Sequence, residues 1–145
     1  MFKQILVPVD GSSTALLALD KAIFLAKAFG SGITVIHVID NYPFVGIGAD
    51  YALGQNEYLA AATTSANRAL AIAAEAVQAA GLTCQQKVIE GHVLHEGILE
   101  AATSLAADLI VMGSHGRHGI EKLLLGSVTQ RVLSHTTLPV LVVRG

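Results

Sequence analysis

Gly113, Gly116, Gly126 and Ser127, spaced G-x2-G-x9-G-S, carry the most specific chemical signal in the chain. A phosphate needs several backbone N–H groups converging on it with no Cβ in the way, and glycine permits that approach. Gly113 and Gly116 are placed to shape the turn that leaves the apolar run 108–113. Gly126 and Ser127 open the helical pattern of 127–135. A helix start offers free amides, here those of Ser127, Val128 and Thr129, together with the positive end of the helix dipole. Across 113–131 lie Arg117, Lys122, Arg131, His115 and His118 against one acid, Glu121. In a chain of net charge −2, that local excess suits a di- or triphosphate. A ligand-free explanation is also available. Ser127 and Gln130 match a capping box, S-x-x-Q, and Gly113 and Gly116 can be plain turn residues. Spacing alone leaves both readings open.

Other constellations are weaker. His92-x-x-His95-Glu96 could bring two imidazoles onto one helix face, but no third ligand is evident, so surface histidines are expected rather than a metal centre. His37 falls within a strand and is expected to be a core histidine with satisfied hydrogen bonds. Cys84 is the lone cysteine, which excludes an internal disulfide and points to packing. There is no G-x-S-x-G elbow, no G-x4-G-K-(S/T) loop and no G-x-G-x-x-G after the first strand. The "VGIG" of 45–48 lies in a loop after the second strand and is discounted.

Positioning the glycines requires elements, and the chain alternates them. The runs 4–9, 33–39, 83–89, 108–113 and 138–143 read as strands. Four are almost continuously apolar, as in a sheet covered on both faces; 83–89 alternates and belongs nearer an edge. Helical patterns fill 13–29 (capped by Ser12 or Ser13 and stopped by Gly30), 57–80, 92–107 and 127–135. The stretch 41–56 reads as a long loop. Such alternation predicts an α/β fold: a single doubly wound domain, 1–145, with a five-stranded parallel sheet and helices on both faces. If the strand order is 3-2-1-4-5, the ligand crevice lies beyond the carboxyl ends of strands one and four. Those ends are Val9-Asp10-Gly11 and Met112-Gly113-Ser114.

Composition narrows the function classes. The 145 residues suit one domain with a real core, and 52% of them are hydrophobic against 14% charged. That balance argues against disorder and against nucleic acid, which needs a basic face. No apolar run approaches the roughly 20 residues of a membrane span. "MFKQILVPVDGSS" reads as a first strand rather than a signal peptide, and with the lone cysteine this predicts a cytoplasmic protein.

"VPVDGSS" (7–13), the intact glycine spacing and "LPVLVV" (138–143) together closely resemble the universal stress protein family, and within it the ATP-binding branch, whose signature is G-2x-G-9x-G-(S/T). The resemblance runs from "KQILVPVDGS" to "LPVLVV". It implies an adenine-nucleotide alpha-hydrolase-like fold and ATP, with or without Mg²⁺, as cofactor. Asp10 would then bond the ribose or adenine side, with Pro8 and Val9 beside it, and Val38 would line the adenine pocket. Met112 and Gly113 would pack under the nucleotide. Gly116 and Arg117 would border the phosphates, and Gly126, Ser127, Val128 and Thr129 would cradle them. For Asp10 a helix-capping role competes, and for Val38 and Met112 ordinary core packing. No metal is expected on the protein alone; Asp10 would meet Mg²⁺ only through Mg-ATP. The resemblance also implies a homodimer through the last strand, 138–143. Three functions follow: a nucleotide-binding stress-response regulator with at most weak ATPase activity, a slow Mg-dependent ATP hydrolase, or a dimeric scaffold without nucleotide. The intact glycines favour the first.

Overall fold

Nine elements alternate along the computed structural model, which describes residues 1–40, 52–116 and 125–145. They are β1 (Gln4–Pro8), α1 (Ser13–Phe29), β2 (Gly32–Asp40), α2 (Ala52–Ala79), β3 (Cys84–Gly91), α3 (Leu94–Ser104), β4 (Leu109–Gly113), α4 (Ser127–His135) and β5 (Val140–Val143). The five strands form one sheet in the order β3-β2-β1-β4-β5. Every neighbouring pair is parallel, with Ile5 level with Ile33 and with Leu109. The order is the 3-2-1-4-5 on which the expected crevice was conditional, and the alternating strand, β3, does lie at an edge.

Period-two alternation splits the core into two slabs. Ile5, Val7, Ile33, Val35, Leu109 and Val111 face one way, onto Ala18, Leu19 and Ala22 of α1 and Leu70, Ala73 and Val77 of α2. Leu6, Ile36, Ile110 and Met112 face the other way, onto Ile98, Ala101 and Ala102 of α3 and Val132 of α4. A strand between two such slabs has no polar face, which is why β1 and β4 read as unbroken apolar runs.

Local chemistry sets the helix ends. Ser12 Oγ accepts the Ala15 N–H at 3.2 Å at the start of α1, and Gly30 closes the helix in the left-handed region at φ 69°. Helix α1 spans the residues expected of it, as does α4. Helix α2 starts earlier than expected: residues 52–56 belong to it, not to a loop. Its opening Ala, Leu and Gln are good helix formers, and they carry Gly54 along despite a penalty of about 1 kcal/mol. The rest of the expected loop, 41–51, lies outside the described residues, and "VGIG" with it. Helix α3 is shorter than 92–107 at both ends. Val93 caps it from an extended conformation, and the chain leaves through Ala106 at φ 52°. Strand β5 is also shorter, starting at Val140 rather than at 138.

At the amino ends of the sheet, away from the crevice, Asp108 ties β4 to β1. Its carboxylate accepts the N–H of Lys3 at 2.8 Å and of Gln4 at 3.0 Å. Burial pushes the Asp108 carboxyl up, but these two amides, its own amide and the chain-terminal charge together outweigh burial and hold it below its ordinary value. A lowered folded-state value stabilises the protein above the ordinary carboxylate range, and the contribution is lost as pH falls through that lowered value. Asp108→Asn is therefore expected to cost about 1–2 kcal/mol at pH 7, the worth of charge-assisted bonds. Denaturant melts should show the gap to wild type narrowing as pH drops toward 3, and a gap that stays constant overturns the assignment.

Candidate functional site

The crevice predicted beyond β1 and β4 exists as a cavity of about 670 Å³, within the range of about 300–1,000 Å³ typical of small-molecule sites. Pro8, Val9, Asp10, Val38, Met112, Gly113, Gly116, Gly126, Ser127, Val128 and Thr129 all line it. Arg117 falls outside the described residues, as do His118, Glu121 and Lys122. Sequence reasoning missed Ser12, Ala15, His37, Asp40, Leu94 and Ile98 on the same wall. The missed set has a common cause. Strand and helix ends converge here from five segments, and only a known strand order brings the end of β2 and the start of α3 beside the glycines. For Asp40, its place at the carboxyl end of an apolar strand was a usable signal.

Helix α4 brings its first turn to the cavity because backbone groups lock it to β4. The Gly126 N–H donates to Ser114 O at 2.6 Å, and Thr129 Oγ1 donates to Gly113 O at 2.9 Å. Both Ser114 and Thr129 are buried. The first intrahelical bond is Gln130 N–H to Gly126 O, so the amides of Ser127, Val128 and Thr129 precede the helical ladder and point out of its end. The cap is Gly126, with no side-chain bond to the helix amides, and Gln130 Nε2 turns back to Leu125 O at 2.9 Å. The S-x-x-Q capping box therefore does not form. Packing explains this: Thr129 is anchored to β4, which sets the approach of the helix before Ser127 can fold back.

Asp10 turns toward its own backbone on one side and the glycine loop on the other. Its Oδ1 accepts the Ser12 N–H at 2.9 Å, an Asx turn that leads into α1. A Cβ on Gly116 would stand 2.7 Å from Asp10 Oδ2, so the carboxylate lies directly against the loop. The capping role weighed for Asp10 falls to Ser12, which is the N-cap of α1, while Asp10 stands two residues ahead of it and lines the cavity. His115 sits between two hydroxyls, with Nδ1 3.1 Å from Ser114 Oγ and Nε2 3.4 Å from Thr14 Oγ1. Val38 and Met112 line the cavity and also pack into the second slab, so core and lining are the same surface. His37 lines the cavity as well, and is not simply a core residue.

Among the described residues, no group of three or more His, Cys, Asp or Glu side chains gathers as a metal site. Burial raises the Cys84 thiol, partly offset by a backbone bond from Val35, so it is a packing group rather than a reactive thiolate. No helix among the described residues is long and apolar enough to cross a membrane.

A doubly wound parallel sheet with the N-termini of α1, α3 and α4 at an apolar crevice defines an α/β protein of the nucleotide-binding kind of fold. The chain belongs to the universal stress protein family, whose sequence model matches residues 1–144. It is 37% identical over 145 residues to universal stress protein MJ0531 of Methanocaldococcus jannaschii, covering 99% of this chain and 83% of that protein. It is 36% identical over 144 residues to a universal stress protein of Thermus aquaticus, covering 99% and 100%. Among solved structures, protein MJ0577 superposes with a TM-score of 0.88 at 30% identity, covering 100% of this chain and 97% of that one. A universal stress protein solved in complex with cAMP superposes with a TM-score of 0.72 at 26% identity, covering 98% and 97%.

The glycine that ends β4 is packed against α1. A Cβ on Gly113 would meet Thr14 Cγ2 at 2.7 Å, closer than real contacts allow. Gly113→Ala should therefore cost about 1–3 kcal/mol by overpacking. Thr14→Ser deletes the offending methyl and should recover part of that loss in the double variant. Urea melts of the four proteins measure the coupling, and strictly additive losses refute the contact.

Proposed function

We propose that the protein is a nucleotide-binding regulator whose crevice takes ATP or a related adenine nucleotide. The observation that carries this reading is the first turn of α4, where three successive amides, Ser127 to Thr129, face a cavity of nucleotide size beside the glycine turn. Amides before the first helical bond carry partial positive charge and offer donors, so they suit the phosphates. Asp10, against Gly116, is the acceptor for a ribose hydroxyl placed between phosphates and base. Val9, Val38, Ile98 and Met112 supply apolar surface for adenine, and Asp40 closes that end. The complex of a relative with cAMP supports an adenine ligand. Arg117 is assigned to the distal phosphates on its place in the loop.

Mg²⁺ would enter with the phosphates, and Asp10 would be the carboxylate to meet it. Turnover measured with and without Mg²⁺ separates a pure binder from a slow hydrolase.

Gly116→Val places its side chain on the Asp10 carboxylate and in the path of the phosphates. Isothermal titration is expected to show ATP affinity falling at least tenfold, about 1.4 kcal/mol, with the fold retained by circular dichroism. Binding equal to wild type in the folded variant ends this reading.

We also propose a homodimer through β5. Among the described residues this strand is an edge of the sheet, paired with β4. Ile110 N–H bonds to Pro139 O and Ser114 N–H to Val143 O, so the backbone groups of 139, 141 and 143 are used by β4. By alternation, those of Val140 and Val142 face outward, and Leu141 is exposed. Unprotected apolar edges pair with other strands, and two copies about a two-fold axis can do so antiparallel. Val142→Pro deletes an outward donor without touching the bonds to β4. Sedimentation at tens of micromolar should show wild type dimeric and the variant dissociated. Monomeric wild type rules the arrangement out.

A further inference from the structure

The histidine pair suggested by sequence spacing is not the pair that meets. His95, in the first turn of α3, brings its ring to His135, the last residue of α4; the ring centroids are 5.1 Å apart and tilted by 42°. Forty residues separate them along the chain, so only the packing of α3 on α4 makes them neighbours. The spacing is that of a chelate. A tetrahedral cation about 2.1 Å from each ligating nitrogen holds two imidazole centroids roughly 5 Å apart.

A second observation prepares one ring for the role. His135 Nδ1 lies 2.7 Å from the Arg131 carbonyl oxygen. A carbonyl can only accept, so Nδ1 carries the hydrogen, and in the neutral ring the lone pair is on Nε2. Metal-ligating histidines are fixed in this way, with the second ring nitrogen donating to a carbonyl or carboxylate. His135 is exposed and His95 half-buried, so a cation can reach the pair from solvent. We propose that His95 and His135 form a two-imidazole site for a late first-row divalent cation, with Zn²⁺ as the fitting case and water completing its coordination. The site is separate from the nucleotide crevice, but it clips together two helices whose other residues, Leu94 and Ile98 on one and Ser127 to Thr129 on the other, wall that crevice.

Zn²⁺ titrated calorimetrically into the nucleotide-free protein, in a non-coordinating buffer, tests this. One saturable site per chain is expected, together with a Zn²⁺-dependent rise in melting temperature. His95→Ala and His135→Ala should each weaken binding at least tenfold and abolish the rise. His135→Gln, which keeps more of the side-chain volume, should behave the same way. His92→Ala and Cys84→Ser should bind like wild type. Melting curves without metal report whether each variant is folded. Absence of saturable binding to wild type overturns the site. So does undiminished binding by folded His135→Ala with loss in His92→Ala, which would return the metal to the sequence-adjacent pair.

Discussion

The peptide units around Ser114 hold three elements in one arrangement. Ser114 N–H donates to Val143 O of β5, while Ser114 O accepts the Gly126 N–H at the head of α4. A buried backbone group that lost either bond would bear the full cost of an unsatisfied polar atom, about 1–3 kcal/mol. Any sequence that keeps the end of β4 buried must therefore bring β5 and α4 to it. Gly126 is the residue that permits this. A Cβ there would stand 3.2 Å from His115 Cα and 3.3 Å from Ser114 O, so the backbone around it would have to give by a few tenths of an ångström. The glycine acts first as a packing device. The amides of Ser127 to Thr129 are aimed as a consequence of the lock, before any ligand is considered.

The crevice itself follows from a conflict between layers. Two apolar slabs cover the middle of the sheet, and the side chains of α1 and α2 on one face and of α3 and α4 on the other fill them. At the carboxyl ends of β1 and β4 the chain departs to opposite faces, through Asp10 into α1 and through Ser114 toward α4. Between these departures the described residues leave a cavity, lined by whatever ends there. Those ends are backbone-rich, because helix starts and glycine turns present amides rather than side chains. A cavity with apolar walls, donors on one side and carboxylates on another thus arises from topology, and the residues at the ends give it its chemistry.

Both helices of the second face carry a histidine at the point where they touch, outside the crevice. Helices α3 and α4 are short, and neither is capped by a side chain. Their positions depend on packing through Ile98, Ala101, Ala102 and Val132 rather than on their own propensity. A cross-link between them at His95 and His135 acts on the same contact that places Leu94, Ile98 and the first turn of α4 around the cavity.

Much of this was legible in the residues alone, wherever a short-range rule decides. Ser12 and Gly30 bound α1 because capping and left-handed glycine are local matters. The apolar runs of β1 and β4 report burial on both faces directly, and the polar alternation of β3 reports an edge. The phosphate-type spacing from Gly113 to Ser127 is likewise a one-dimensional pattern. Tertiary packing decided the rest. It made Gly126 the cap of α4 in place of a Ser127–Gln130 box, because Thr129 was already bonded to β4. It brought Asp40, His37, Leu94 and Ile98 to the cavity, and it paired His95 with His135 instead of His92. Contacts between residues far apart in sequence depend on strand order and helix docking, and those are settled by burying two slabs at once. No window of a dozen residues contains that information.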